Sequence, residues 1–185
     1  EFRRVLFRSL NTCFWRGTTT GSLFRDDLLL SVDEYEKHLR PGNRIQLVTQ
    51  YFQKSPKIDV AFSFLHRPYL IPKYGKYVKG YVSISFFLKH KYLISVEGND
   101  KDSGLQWKLN SNSLVMMPKP KFVTWLMETR LVPDYHYVLL QDDFSNLEEK
   151  INYYEKNREE AKKIIKQANE YMAQFQDRKY EEALE

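Results

Sequence analysis

The sequence predicts a parallel α/β sheet with crossover helices, in a single unit. Three observations predict it. Short apolar, β-favouring runs alternate along the chain with segments of helical periodicity, the pattern of strand–helix–strand units. The length, 185 residues, fits one domain better than two. The composition, 42% hydrophobic and 29% charged, is that of a cored protein and excludes disorder and fibrous repeats. No apolar run approaches the roughly 18 residues that a membrane-spanning helix needs.

The elements follow in order. Residues 1–9 read as a non-native, adaptor-derived segment and are set aside. Residues 11–15 (Asn-Thr-Cys-Phe-Trp) make a buried strand, followed by a turn over 16–22. Residues 23–39 have helical character, with Leu28, Leu29 and Val32 on one side, and a second helix covers 44–52, where Ile45, Val48 and Phe52 recur at spacings of three and four. Residues 58–64 are a strand; 67–80, with Pro68, Pro72 and Gly75, read as an irregular connection. The alternation then sharpens: a short helix over 82–89, a strand over 92–97, a helix over 103–110, and a strand over 113–117 stopped by Pro118 and Pro120. A helix over 122–128 and a strand over 137–140 follow. Ser145 and Glu148 predict a capping box for a long helical region broken at Asn157. Its stripe runs through Leu147, Ile151 and Tyr154, then Ala161, Ile164, Ile165, Ala168, Met172 and Phe175. The folded unit is expected over residues 10–176, with a polar tail over 177–185.

Charge and composition narrow the function classes. The formal net charge is +5, with residues 10–144 at +5 and residues 145–185 at −2, so the chain is mildly basic without a block dense enough for a nucleic-acid arm. A single cysteine, Cys13, excludes an internal disulfide and suits a reducing compartment; it reads as a small core residue. His38, His66, His90 and His136 show no zinc-type spacing. No Gly-x-Gly-x-x-Gly, Walker loop or Gly-x-Ser-x-Gly elbow occurs, which argues against the common dinucleotide, NTPase and hydrolase templates.

In parallel sheets ligands bind outside the carboxyl ends of the strands, which directs attention to two loops. The first, Trp15-Arg16-Gly17-Thr18-Thr19-Thr20-Gly21-Ser22 with Arg25 beyond it, gathers hydroxyls and two guanidinium groups at a helix N-terminus suited to phosphate. The competing reading is an ordinary capped helix, with Arg16 or Arg25 paired to Asp26 or Asp27. The second, Gly98-Asn99-Asp100-Lys101-Asp102-Ser103-Gly104, offers Asn99 and Ser103 at the mouth of the sheet. Asp100 and Asp102 match the loose DxD pattern of metal-dependent glycosyltransferases, and equally an N-cap at Asp102 or Ser103. A third segment, residues 73–81, interleaves lysine with tyrosine, as a single-strand nucleic-acid platform would, or as a loop whose rings cover a core. His136, between two tyrosines, reads as a site residue or as a satisfied structural histidine.

Several separated motifs resemble one family. Phe14-Trp15-Arg16-Gly17, the downstream Arg25, Lys91-Tyr92-Leu93-Ile94-Ser95-Val96-Glu97-Gly98, Asn110-Ser111-Asn112-Ser113-Leu114-Val115, Leu131-Val132-Pro133-Asp134-Tyr135-His136-Tyr137 and the acidic segment Asp142 to Glu149 come in the order and spacing of glycosyltransferase family 90. That family includes fungal capsule-associated xylosyltransferases, animal protein O-glucosyltransferases and bacterial lipopolysaccharide enzymes. The resemblance, over about residues 11–176, implies a GT-B architecture of two Rossmann-like lobes, of which this chain is the C-terminal, donor-binding one. It implies a nucleotide-sugar donor such as a UDP-sugar, inversion at the anomeric centre, and no metal or other cofactor. Arg16, Gly17, Thr18, Arg25, Asn99 and Ser103 would then hold the donor diphosphate. Animal members carry an arginine about where Gly104 falls, and Lys108, one turn on, would take over its charge. Glu128 and His136 would meet the ribose or sugar.

The partners implied are a nucleotide sugar and a glycan or lipid-linked glycan acceptor, in lipopolysaccharide or surface polysaccharide synthesis. A cytoplasmic, bacterial location with peripheral association at the membrane face follows, and nucleic acid is not expected. The catalytic base of the family lies upstream of Trp15, so this stretch alone is expected to be inactive. The alternatives are a basic, aromatic nucleic-acid-binding module and, behind it, a metal-dependent transferase using Asp100 and Asp102.

Overall fold

A computed structural model describes residues 10–23 and 31–175. Five parallel strands form one sheet: β1 (Leu10–Thr18), β2 (Ile58–Phe64), β3 (His90–Ile94), β4 (Leu114–Met117) and β5 (Val138–Leu139), in the spatial order β2-β1-β3-β4-β5. The order is that of a doubly wound sheet, with its reversal between β1 and β3. Register pairs Cys13 with Ile58 and Tyr92, Leu93 with Val115, and Met116 with Val138. The middle of each central strand is apolar (Cys13–Trp15, Tyr92–Ile94, Leu114–Met117) because both faces are covered there, as parallel sheets require.

The helices are α1 (Val32–Lys37), α2 (Arg44–Tyr51), α3 (Ile71–Tyr74), α4 (Ile84–Phe87), α5 (Leu105–Leu109), α6 (Leu147–Lys156) and α7 (Arg158–Ala173). On one face Cys13, Trp15, Val60, Tyr92, Ile94 and Met116 pack with residues of α2, α6 and the first half of α7. On the other, Phe14 and Leu93 meet Phe87 of α4, while Val115 and Met117 meet Leu105 and Leu109 of α5 and Ala168 and Met172 of α7. The apolar stripe along α6 and α7 is buried as its spacing predicts, and the helices part at Asn157. Cys13 is a core residue whose thiol burial pushes well above its ordinary pKa.

Five expectations change. Of residues 23–39 only Val32–Lys37 is helical among those described; residues 24–30 lie outside the described residues, and Ser22 bridges Leu39 in antiparallel fashion instead. The turn expected over 16–22 starts later, because Arg16, Gly17 and Thr18 extend β1 by pairing with β2. Residues 68–77 are not irregular but three short helical turns in succession, with Pro68 and Pro72 in first-turn positions where a missing N–H costs nothing. Residues 122–127 are not helical: Glu97 Oε1 accepts from the N–H groups of Lys121 and Phe122 at 2.9 and 3.1 Å, and Glu128 Oε2 accepts from Thr124 N–H at 2.6 Å, holding the segment open. The capping box at Ser145 does not form, because its hydroxyl donates to Gln141 Oε1 at 2.6 Å and the helix begins one residue later, after Asn146.

His90 stands at the start of β3, 3% exposed, stacked 4.2 Å from the Phe14 ring and hydrogen-bonded through Nδ1 to the Thr12 hydroxyl at 2.6 Å. Burial, with the Arg16 and Lys89 charges adding to it against Asp59, lowers its pKa from 6.5 to about 4. The unfolded chain therefore binds a proton between those values that the folded chain refuses, so stability is full above pH 6.5 and falls as the pH drops towards 4. Denaturant unfolding of the His90→Gln variant against the unsubstituted chain isolates this contribution. The pH-dependent difference should reach up to roughly 3 kcal/mol across that window.

Candidate functional site

A crevice opens outside the carboxyl ends of β1, β3 and β4, beside the reversal point of the sheet. Its walls are the loop after β1 (Gly21), the approach to α2 (Arg40, Pro41, Gly42, Asn43), the loop after β3 (Ser95, Glu97, Gly98, Lys101, Asp102) and the stretch after β4 (Met117 to Lys121), with Leu105 and Glu128.

Arg44 organises the edge between β1 and β3. Asn43 caps α2, its Oδ1 accepting from Gln46 N–H at 2.9 Å, and so places Arg44 at the first helical position. Its Nη1 donates to Thr20 Oγ1 at 2.7 Å and to Thr18 O at 3.5 Å; its Nε and Nη2 donate to Val96 O at 3.2 and 3.1 Å. One fork thus joins the strand ends on either side of the reversal point. Burial lowers the Arg44 pKa, opposed chiefly by the charge of Asp102, yet a guanidinium stays protonated. Among the described residues no carboxylate lies within ion-pair distance of it. Gly98 is the residue this requires: a Cβ there would stand 2.7 Å from Thr20 Oγ1 and 3.0 Å from Arg44 Nη2.

Arg40 makes a second bridge, donating to Gly98 O at 3.2 Å and Asn99 O at 3.1 Å while lying 4.6 Å over the Phe122 ring. Asn99 Oδ1 accepts from Gly21 N–H at 2.9 Å, closing the two loops on each other. Lys121 Nζ donates to Pro41 O and pairs with Asp142, both at 3.0 Å. Below them Asp102 receives the Ser95 hydroxyl at 2.6 Å, the Gly104 N–H at 2.9 Å and the buried Lys108 ammonium. Burial alone would raise the Asp102 pKa; the Lys108 charge and hydrogen bond, with Ser95 and Arg44, hold it below the usual carboxylate range.

The residues expected from the sequence separate accordingly. Asn99 and Glu128 are at the crevice: Asn99 as the tie just described, Glu128 buried in the wall with its carboxylate accepting from both Thr124 groups at 2.6 and 2.7 Å. Thr18 ends β1 under Arg44. Arg16 lies within β1 and pairs with Asp59 at 2.8 Å; Asp26 and Asp27 lie outside the described residues. Gly17 faces the Trp15 indole so closely that a Cβ would meet it at 2.6 Å. Ser103 is exposed on the turn before α5, and Lys108 is spent on Asp102. His136 is not in the crevice wall; it packs 5.1 Å from the Tyr171 ring, accepts from Val132 N–H at 2.9 Å, and has its pKa lowered by burial. Arg25 lies outside the described residues. Asp100 is exposed while Asp102 turns in to Lys108, so the two do not stand as a paired grip. In residues 73–81 Tyr74 is buried against Glu36 and Tyr77 packs edge-on against Phe52, which leaves only Tyr81 of those rings exposed.

Arg40, Arg44, Lys101 and Glu97 were not singled out from the sequence. The signal for Arg44 was present in Pro41-Gly42-Asn43, a helix-start pattern that puts the following arginine at a helix N-terminus. The rest depend on loops meeting across the sheet.

The family model for glycosyl transferase family 90 matches residues 6–180. The chain belongs to that family. It is similar to the O-glucosyltransferase LpsA of Dichelobacter nodosus, 46% identical over 99 residues, which cover 54% of this chain and 31% of that protein. It is also similar to protein O-glucosyltransferase 2 of Danio rerio, 32% identical over 161 residues, covering 85% of this chain and 27% of that protein. This family 90 chain therefore spans less than a third of the length of each of these relatives.

The buried Asp102–Lys108 pair supports the crevice floor of the family 90 chain, and breaking one side strands the other charge. Lys108→Met should cost about 3–5 kcal/mol in denaturant unfolding, and the double variant Asp102→Asn with Lys108→Met should cost less than the single one.

Proposed function

We propose that this chain is the donor-binding lobe of a GT-B glycosyltransferase, and that the crevice takes the diphosphate of a UDP-sugar. The observation that carries the reading is the position of Arg40, Lys101 and Lys121 around a crevice at the reversal point of a doubly wound sheet, with the half-buried Arg44 beside it. Of the acidic groups in the wall, Asp102 is neutralised by Lys108, while Glu97 and Glu128 hold backbone N–H groups of the stretch after β4. With Lys121 paired to Asp142, the crevice keeps the charges of Lys101 and Arg40, neither with a carboxylate within 4.0 Å among the described residues, for a ligand anion.

A departing nucleoside diphosphate develops negative charge on its phosphates, and fixed cations and N–H groups stabilise that charge without a metal ion. Arg40 and Lys101 would contact the phosphates; Arg44 would hold the two loops in register and add its charge from below. Each Glu128 oxygen keeps a lone pair free for ribose hydroxyls, beyond the bond it accepts from Thr124. Transfer with inversion needs a base at the acceptor hydroxyl, which we assign to the part of the protein upstream of Trp15. The two relatives are named for O-glucosyl transfer, which makes glucose the first sugar to test and a glycan of the cell surface the first acceptor class.

Calorimetric titration with UDP and UDP-glucose tests the reading. Binding should persist in EDTA. Lys101→Ala should weaken it about tenfold or more, the loss of one charged hydrogen bond. Arg44→Lys should weaken it as well while circular dichroism stays unchanged. Absence of any response to uridine nucleotides, or Lys101→Ala binding as tightly as the original chain, would remove the assignment.

A further inference from the structure

The stretch between β4 and β5 makes a tight turn, Met127 N–H donating to Thr124 O at 2.9 Å, and carries three large apolar side chains that stay about half exposed: Val123, Trp125 and Met127, at 58%, 51% and 42%, the Trp125 ring resting edge-on against Phe175 at 5.6 Å. Their neighbours explain why these three cannot turn inward. Phe122 is under Arg40, Thr124 is tied to Glu128, and Leu126 is buried in the core beneath α7. The turn is also fixed from behind, because the Tyr171 hydroxyl donates to Leu126 O at 2.7 Å and Met127 O at 3.1 Å, with Met127 held at φ 51°. The apolar tip is therefore presented rigidly.

Basic residues accompany it, one in contact and two close along the chain. Lys101 Nζ lies 5.6 Å from the centre of the Trp125 ring, Lys119 precedes the tip and Arg130 follows it. Among the described residues none of these three has a carboxylate within 4.0 Å: Asp100, beside Lys101, is exposed, Asp102 turns in to Lys108, and Glu128, beside Arg130, is buried and turned to Thr124. Projecting tryptophan and aliphatic groups accompanied by unneutralised lysine and arginine match the interface of a bilayer, where an indole rests at headgroup level and basic side chains meet lipid phosphates. A glycan platform would instead bring carboxylates or amides beside the ring, and here a lysine occupies that place.

We propose that this turn docks the chain on an anionic lipid surface, with Val123, Trp125 and Met127 entering the headgroup region. Lys119 and Arg130 meet the lipid phosphates from either side. The inference is independent of what the crevice binds. Because Lys101 and Lys119 also line the crevice, docking would set its mouth along the membrane plane.

Co-sedimentation of the 185-residue chain with phosphatidylcholine vesicles, with and without phosphatidylglycerol, tests this. Binding should require the anionic lipid and weaken with salt, and Trp125 emission should move to the blue. Trp125→Ala should reduce partitioning about tenfold, and Arg130→Gln roughly fivefold, with unfolding midpoints unchanged. Equal binding to neutral vesicles, no binding to anionic ones, or full binding by Trp125→Ala would each overturn the proposal. So would complete displacement by inorganic phosphate, which would place the anion in the crevice and not at a surface.

Discussion

The arrangement of the crevice depends on one half-buried guanidinium, that of Arg44. Two parallel strands that diverge at a reversal point leave carbonyl groups at their ends with no further strand to pair them, and a buried carbonyl without a donor is costly. Arg44 meets Thr18 O and Val96 O from one planar group, with the Thr20 hydroxyl beside them. A lysine could not, since its ammonium has no fork. The close approach of Gly98 and the cap at Asn43 both serve that placement.

Charge in the site is arranged in two levels. The deeper level is internally balanced: Asp102 against Lys108 and Ser95, with Arg44 adding to the field. The outer level, Arg40, Lys101 and Lys121, stands over it, with Arg40 and Lys121 already committed to main-chain carbonyls that hold loops in place. Desolvated charges are tolerated here because each is paired: Asp102 meets Lys108, Ser95 and the Gly104 N–H, and Lys108 meets Asp102. Lys101 has neither an acidic partner nor a carbonyl among the described residues, only the Trp125 ring 5.6 Å away, so it is the least committed of the three.

The helix expected over 122–128 shows how that balance reshapes local structure. Its apolar spacing is helical, but Glu97 and Glu128 take the N–H groups of Lys121, Phe122 and Thr124. The stretch is drawn open, its odd-numbered apolar side chains face solvent, and Lys121 reaches across to Pro41 and Asp142. One pair of carboxylates thereby makes both a crevice wall and an exposed apolar tip.

Periodicity and β-propensity by themselves determined the parallel sheet, its strands and the stripe along the last two helices, because these reflect burial on fixed faces that residue spacing encodes directly. They also directed attention to the loops after β1 and β3, which line the crevice at Gly21 and between Ser95 and Asp102. Which cations face the crevice was a tertiary matter. Sequence offers Arg16 to a phosphate or to Asp26 or Asp27, and Lys108 to a phosphate, yet Asp59 and Asp102 claim them across 43 and six residues of chain. Arg44 looks like an ordinary first-turn residue until β1 and β3 are set side by side. Ion pairing depends on distance in space, and only the packed sheet brings those partners within it.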